Sequence, residues 1–246
     1  MDRTGGLAAV IFDVDGTLAD TERDGHRPAF NAAFTSHGVD VHWNPEHYGR
    51  LLSITGGDRR IAADLRERGF GDRTETLAAD IHKTKTGLFR EAILNGEISP
   101  RPGLPDLVVD LRRAGIRIAV ATTGRRAWVE PLVRHLLGDG VVEVMVTGDD
   151  VANLKPDPEA YRRALDLLGL APEQALAVED SANGLQAANG AGLATVVVTN
   201  DYTHDQDFTG AAAVFDRYDG PEPLDAERCG QIHHRFWSGR TRPRRG

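Results

Sequence analysis

Leu7-Ala8-Ala9-Val10-Ile11-Phe12-Asp13-Val14-Asp15-Gly16-Thr17-Leu18 is a short apolar run that ends in two aspartates one residue apart. Six apolar residues stopping at an acid predict a strand buried on both faces, too short to cross a membrane or to serve as a signal core. Carboxylates at the tip of such a strand are costly to bury unless a cation or a hydrogen-bonded loop meets them. Gly16 lets the chain turn tightly there, and open α/β sheets take their ligands outside the carboxyl ends of the strands. The tip is therefore a candidate metal and phosphate site.

The segments on either side set the frame for that strand. Helical spacing covers 23–37, 46–52, 59–68 and 74–94, with few β-branched runs. Beyond Gly96, Pro100, Pro102 and Gly103 the pattern alternates. Apolar strand candidates at 116–121, 142–146, 175–178 and 195–198 are separated by helical stretches near 104–114, 127–137, 158–168 and 182–191. Alternation of this kind predicts the α/β class, a doubly wound parallel sheet with helices on both faces. The first strand belongs to the same sheet, so the helical segment interrupts one domain. The expected organisation is an α/β core of 1–20 and 99–220, a helical cap of 21–98 acting as a lid, and a flexible basic tail of 221–246.

Three more strand ends carry residues that phosphoryl transfer needs. Ile118-Ala119-Val120-Ala121 runs into Thr122-Thr123-Gly124, which offers hydroxyl and backbone donors. Lys155-Pro156-Asp157-Pro158 sets a lysine just before a helix start. Ala175-Leu176-Ala177-Val178 ends in Glu179-Asp180-Ser181, where the polar residues are read either as a site or as a helix N-cap at Asp180 or Ser181.

These motifs, in this order, resemble the haloacid dehalogenase superfamily of phosphotransferases over 7–192. The position of the insert is similar to the subgroup that holds phosphoglycolate phosphatase and β-phosphoglucomutase. Shorter matches resemble the CbbY-type sugar-bisphosphate phosphatases, which act on xylulose 1,5-bisphosphate. They are Asp24-Gly25-His26-Arg27 with Ala29-Phe30-Asn31, Thr55-Gly56-Gly57 with Arg60-Ile61, Asp80-Ile81-His82-Lys83 with Lys85-Thr86, and Gly96-Glu97-Ile98 with Arg101-Pro102-Gly103.

The resemblance implies a role for each position. Asp13 attacks phosphorus to form an aspartyl-phosphate, and Asp15 protonates the leaving alkoxide and later deprotonates water. Thr122 binds the phosphoryl group and Lys155 neutralises its charge. Mg²⁺ is held by the Asp13 carboxylate, the Asp15 backbone carbonyl and Asp180, with Glu179 behind it as a base or as holder of a metal water. Substrate contacts fall to Glu22, Gly56, Gly57, Arg60, His82 and Lys85 in the cap, and to Thr123 and Arg125 in the loop after Thr122. Asp58 and Arg59 depart from the usual Gly-Gly-Lys-Glu-Arg, and Gly124-Arg125-Arg126-Ala127-Trp128 departs from small polar residues with an asparagine. Arg125 and Arg126 are expected to restore the positive charge lost at Asp58. The alternatives are a β-phosphoglucomutase-like mutase and a phosphoglycolate phosphatase-like monophosphatase.

Composition narrows the partners. The chain has 246 residues and a formal net charge of −8, which argues against nucleic acid or an anionic membrane as the main partner. The exception is the stretch from His233 on, with Arg235, Arg240, Arg242, Arg244 and Arg245 and no acid. The single cysteine, Cys229, forms no internal disulfide, and a reducing cytosol is the expected compartment. Cys229 with Arg235 fits the Cys-x5-Arg string of cysteine phosphatases but lacks their glycine-rich cradle. The expected protein is a monomer acting on a small sugar phosphate.

Overall fold

The computed structural model describes residues 6–54 and 56–240. Thr55 and the arginines Arg242, Arg244 and Arg245 lie outside the described residues. The chain divides into two units, Met1–Asp20 with Ser99–Gly246, and Thr21–Ile98.

The first unit is built on a parallel six-stranded sheet. Its strands are β1 (Ala9–Phe12), β2 (Arg117–Ala121), β3 (Val144–Val146), β4 (Ala175–Glu179), β5 (Ala194–Val198) and β6 (Ala213–Phe215), in the order β3-β2-β1-β4-β5-β6. The chain moves outward from β1 through β2 to β3, then returns to β4 on the other side of β1 and continues to β5 and β6. Strand order thus reverses at β1, and such a switch point opens a crevice at the carboxyl ends. Register keeps those ends level: Phe12 pairs with Val120 on one side and Val178 on the other. Asp13, the end of β2 and Glu179 therefore emerge together.

Helices α5 (Leu104–Arg113), α6 (Arg126–Leu137), α7 (Glu159–Leu168), α8 (Ala182–Gly190) and α9 (Ala226–Arg240) belong to this unit. α7 buries Ala160, Tyr161, Ala164, Leu165 and Leu168, the spacing of one helical face, against Ile11, Ala119 and Ala177 of the sheet. The doubly wound α/β class expected from the alternation is the one observed.

Two elements differ from the sequence reading. β6 is a three-residue edge strand, only partly buried, with too little apolar signal to stand out. The flexible tail expected over 221–246 is corrected over Ala226–Arg240, which forms α9. Cys229, Ile232 and His233 are buried there, and Phe236 and Trp237 half-buried, at i, i+3, i+4, i+7 and i+8. α9 packs on α5, β4 and β5. Arg235 sits on the exposed face, and the arginines from 235 on masked the stripe in the sequence.

The second unit is helical: a π-helical turn at Glu22–His26, then α1 (Arg27–Ser36), α2 (Pro45–Leu51), α3 (Gly57–Glu67), a 3-10 turn at Gly71–Arg73 and α4 (Thr74–Leu94). The π-turn precedes Pro28, which has no N–H with which to continue the α ladder backward. Phe30, Phe34, Trp43, Tyr48, Ile61, Leu65, Ile81 and Phe89 form a buried core of its own. No helix among the described residues is long and apolar enough to cross a membrane.

Candidate active site

Asp13 follows β1 directly. Its N–H donates to the Val178 carbonyl at 3.0 Å, which continues the ladder one residue past the strand and fixes the side chain at the crevice. Asp13 is buried, with 7% of the residue exposed, and its carboxylate accepts from Lys155 Nζ at 2.6 Å. The same ammonium donates to Glu179 Oε1 at 2.6 Å and lies 4.7 Å above the ring of Tyr161, whose hydroxyl donates to Glu179 Oε1 at 2.7 Å. One lysine thus serves two buried carboxylates. Burial alone would lower the Lys155 pKa, but Asp13 and Glu179 together hold it above the ordinary lysine value. Removing one partner of so buried a group would leave uncompensated charge at a cost of about 3–5 kcal/mol.

Asp180 follows β4 and is also buried. Ser181, not Asp180, caps α8, accepting from Gly184 N–H at 3.1 Å, so both acids remain available to the crevice. Asp13, Glu179 and Asp180 each offer a carboxylate oxygen within 4.8 Å of the others. Burial pushes the Asp13 carboxyl up to about 7; Lys155 pulls it back, and Glu179 and Asp15 add to the rise. Burial, then Glu179 and Asp13, raise Asp180 well above the usual carboxylate range. Three acids against one ammonium leave an excess of negative charge in a buried, all-oxygen donor set. That chemistry fits a hard divalent cation.

Asp15 is half-buried beside the bend, where Gly16 N–H donates to the Ala19 carbonyl at 2.9 Å. Its carboxylate is not a member of the three-acid cluster. Thr122, 1% exposed, follows β2; its N–H donates to Val146 O at 3.0 Å and its hydroxyl accepts from Gly124 N–H at 3.1 Å. Thr123 and Arg125 are exposed. Arg125 Nη1 donates to Asp149 at 2.6 Å and Arg126 Nη2 to Asp150 at 2.6 Å, while Asp149 also accepts the Arg126 N–H at the start of α6. Both guanidiniums expected to offset Asp58 are thus paired with acids of their own unit.

In the helical unit, the Tyr48 hydroxyl donates to Glu22 and accepts from Arg60 Nη1 at 3.1 Å, and the Arg60 guanidinium lies 5.4 Å from the Tyr48 ring. Gly56 precedes α3 and Gly57 begins it, close against His82. Burial, then the neighbouring Lys85, lower the His82 pKa. Lys85 is buried between the rings of Phe30 and Phe89, with Nζ 2.5 Å from His26 Nδ1. Within this unit the sequence candidates fall into two groups, Glu22 with Arg60 through Tyr48, and Gly57 with His82 and Lys85.

The sequence reading missed Tyr161, Asn200 and Arg101 as site supports. Asn200 stands at the carboxyl end of β5, so the rule that found the other strand ends reaches it too. Arg101 is buried; Nη1 donates to the Gly16 and Val198 carbonyls at 2.7 and 2.8 Å, and Nη2 to Thr199 O at 2.5 Å, tying the bend after β1 to the end of β5. Cys229 is fully buried and its thiol is pushed up to about 12 by burial, then by Asp225, which leaves it inert as a nucleophile.

A family model described as haloacid dehalogenase-like hydrolase matches residues 7–192. The chain is 47% identical over 215 residues to protein CbbY of Cereibacter sphaeroides, covering 86% of this chain and 93% of that protein. The structure is similar to that of CbbY from Rhodobacter sphaeroides in complex with phosphate, with a TM-score of 0.76 at 46% identity over 89% of this chain and 97% of that one. A mutant of that CbbY in complex with xylulose-(1,5)bisphosphate matches at 45% identity, with a TM-score of 0.76 and coverage of 89% and 97%.

Proposed function

The chain belongs to the haloacid dehalogenase-like hydrolases and is a phosphatase, and from that premise we propose that it hydrolyses a sugar bisphosphate, xylulose 1,5-bisphosphate, with Mg²⁺ as its cation. The observation that carries the substrate is the 45% identical CbbY structure in complex with that bisphosphate, which matches 89% of this chain.

Asp13 attacks phosphorus, forming an Oδ–P bond as the ester P–O bond breaks. Asp15 gives its proton to the leaving alkoxide, then takes one from the water that cleaves the aspartyl-phosphate and releases inorganic phosphate. Lys155, 2.6 Å from Asp13, works against the burial that raises the Asp13 carboxyl, aligns the nucleophile and balances the charge of the transferring group. The Thr122 hydroxyl and the backbone of its loop donate to phosphoryl oxygens. The Asp13 and Asp180 carboxylates and the Asp15 carbonyl would hold Mg²⁺, which would supply charge neutralisation there. Glu179 supports this set by fixing Lys155. Arg60, His82 and Lys85 of the helical unit recognise the phosphate that is not cleaved, and Glu22 takes sugar hydroxyls.

A phosphate-release screen over sugar mono- and bisphosphates with Mg²⁺ tests the reading, with glucose 1-phosphate included. Stoichiometric phosphate, fastest from xylulose 1,5-bisphosphate, is the expected result. Glucose 6-phosphate formed from glucose 1-phosphate without free phosphate would overturn it in favour of a mutase.

A further inference from the structure

Both oxygens of the Asp180 carboxylate are held by neighbouring side chains. Oδ2 accepts from Asn200 Nδ2 at 2.8 Å and Oδ1 from the Thr17 hydroxyl at 3.3 Å. The Asn200 amide cannot turn over freely, because its Oδ1 accepts the Tyr202 N–H at 2.9 Å, which commits the NH₂ end to Asp180. Its backbone N–H donates in turn to Thr203 Oγ1 at 3.1 Å. Space for this contact depends on Gly16, where a Cβ would overlap Asp180 Oδ2 and Asn200 Nδ2. The Gly16 backbone, at φ +77°, is itself clamped by Arg101.

We propose that Asn200 is a positioning residue for the cation site: its amide fixes the rotation of the Asp180 carboxylate and so holds an oxygen within the cluster of Asp13 and Glu179. An ionised carboxylate has about four acceptor positions, so the bonds from Asn200 and Thr17 leave room for a cation on the same group. Without the amide, Asp180 must be ordered at the moment of binding, and partners of this kind typically change metal affinity by about 10–100-fold. The inference rests on the assignment of Asp180 to the cation.

Manganese binding to the full chain, followed by the EPR signal of the free ion and competed with Mg²⁺, tests it without reference to turnover. The expected result is that wild type binds, Asp180→Ala abolishes binding, and Asn200→Ala weakens it by about tenfold or more. Thr203→Val, which removes the acceptor of the Asn200 N–H but leaves the amide, stays within about twofold of wild type by the same reasoning. Wild-type affinity in Asn200→Ala would overturn the proposal. So would equal losses in Asn200→Ala and Thr203→Val, which would mean that only the integrity of the loop matters. If Asp180→Ala binds like wild type, the cation assignment itself fails and the proposal fails with it.

Discussion

Gly184 shows how tightly the site is built at the level of single residues. It sits in the first turn of α8, where alanine is the better helix former by roughly 1 kcal/mol. A Cβ there would overlap the Glu179 carboxylate, which anchors Lys155. Gly184→Ala is therefore expected to lower stability by about 1–3 kcal/mol through overpacking, against its helix propensity, and to cut turnover roughly tenfold or more as Lys155 loses its seat. Thermal melting with a phosphate-release assay checks both, and a stabilised, fully active variant would contradict the packing described. In the helical unit, Arg60→Ala and Lys85→Met are expected to raise KM for a bisphosphate about tenfold or more while leaving p-nitrophenyl phosphate nearly unchanged, since each removes a charge-assisted hydrogen bond worth about 1.5–3 kcal/mol. Equal losses on both substrates would mean damage to the reaction centre instead. Asp13, Thr122, Lys155, Glu179 and Asp180 were legible because each stands at or just beyond a strand end or just before a helix. Tyr161 was not, because its part depends on a contact that local sequence does not encode: it reads as one more member of the buried face of α7, whereas Asn200, just past the end of β5, was within reach of the same strand-end rule.

At the scale of elements, five of the six strands follow from short apolar runs, and the parallel order follows from the helices between them. The α9 helix was obscured by its composition. The stripe of Cys229, Ile232, His233, Phe236 and Trp237 has helical period, yet the arginines around it read as a solvated tail. Burial makes a contrast that can be measured. Ile232→Ala, at a site 6% exposed, is expected to cost about 2–5 kcal/mol in urea unfolding, whereas Arg235→Ala, on the exposed face, should stay within about 0.5 kcal/mol. Equal and small effects would mean that α9 does not contribute to the core. The three-residue β6 carries no comparable signal, and its pairing with β5 becomes visible only once the rest of the sheet exists.

For the whole molecule, the concentration of acid at the centre of the first unit makes stability depend on pH and on cation together. The Asp13 carboxyl rises from 3.8 to about 7 on folding, so without a cation its contribution is fully present below pH 3.8 and is lost as pH climbs toward 7. Asp180, raised by burial and by the acids beside it, acts in the same direction. A bound cation requires ionised carboxylates, so its affinity should strengthen over that interval. The increase in Tm produced by Mg²⁺ is therefore expected to grow from pH 5 to pH 8; a shift that is flat with pH, or absent, would contradict the assignment of these acids to a cation. The central claim is that turnover passes through Asp13, and the most direct measurement is acid quench of the enzyme within a single turnover of bisphosphate labelled with ³²P at the cleaved position, followed by peptide mapping. Label on the peptide that holds Asp13, decaying as free phosphate appears and missing from an inactive Asp13→Asn protein, is the predicted result; turnover with no label on that peptide, or near-normal turnover by Asp13→Asn, would contradict it.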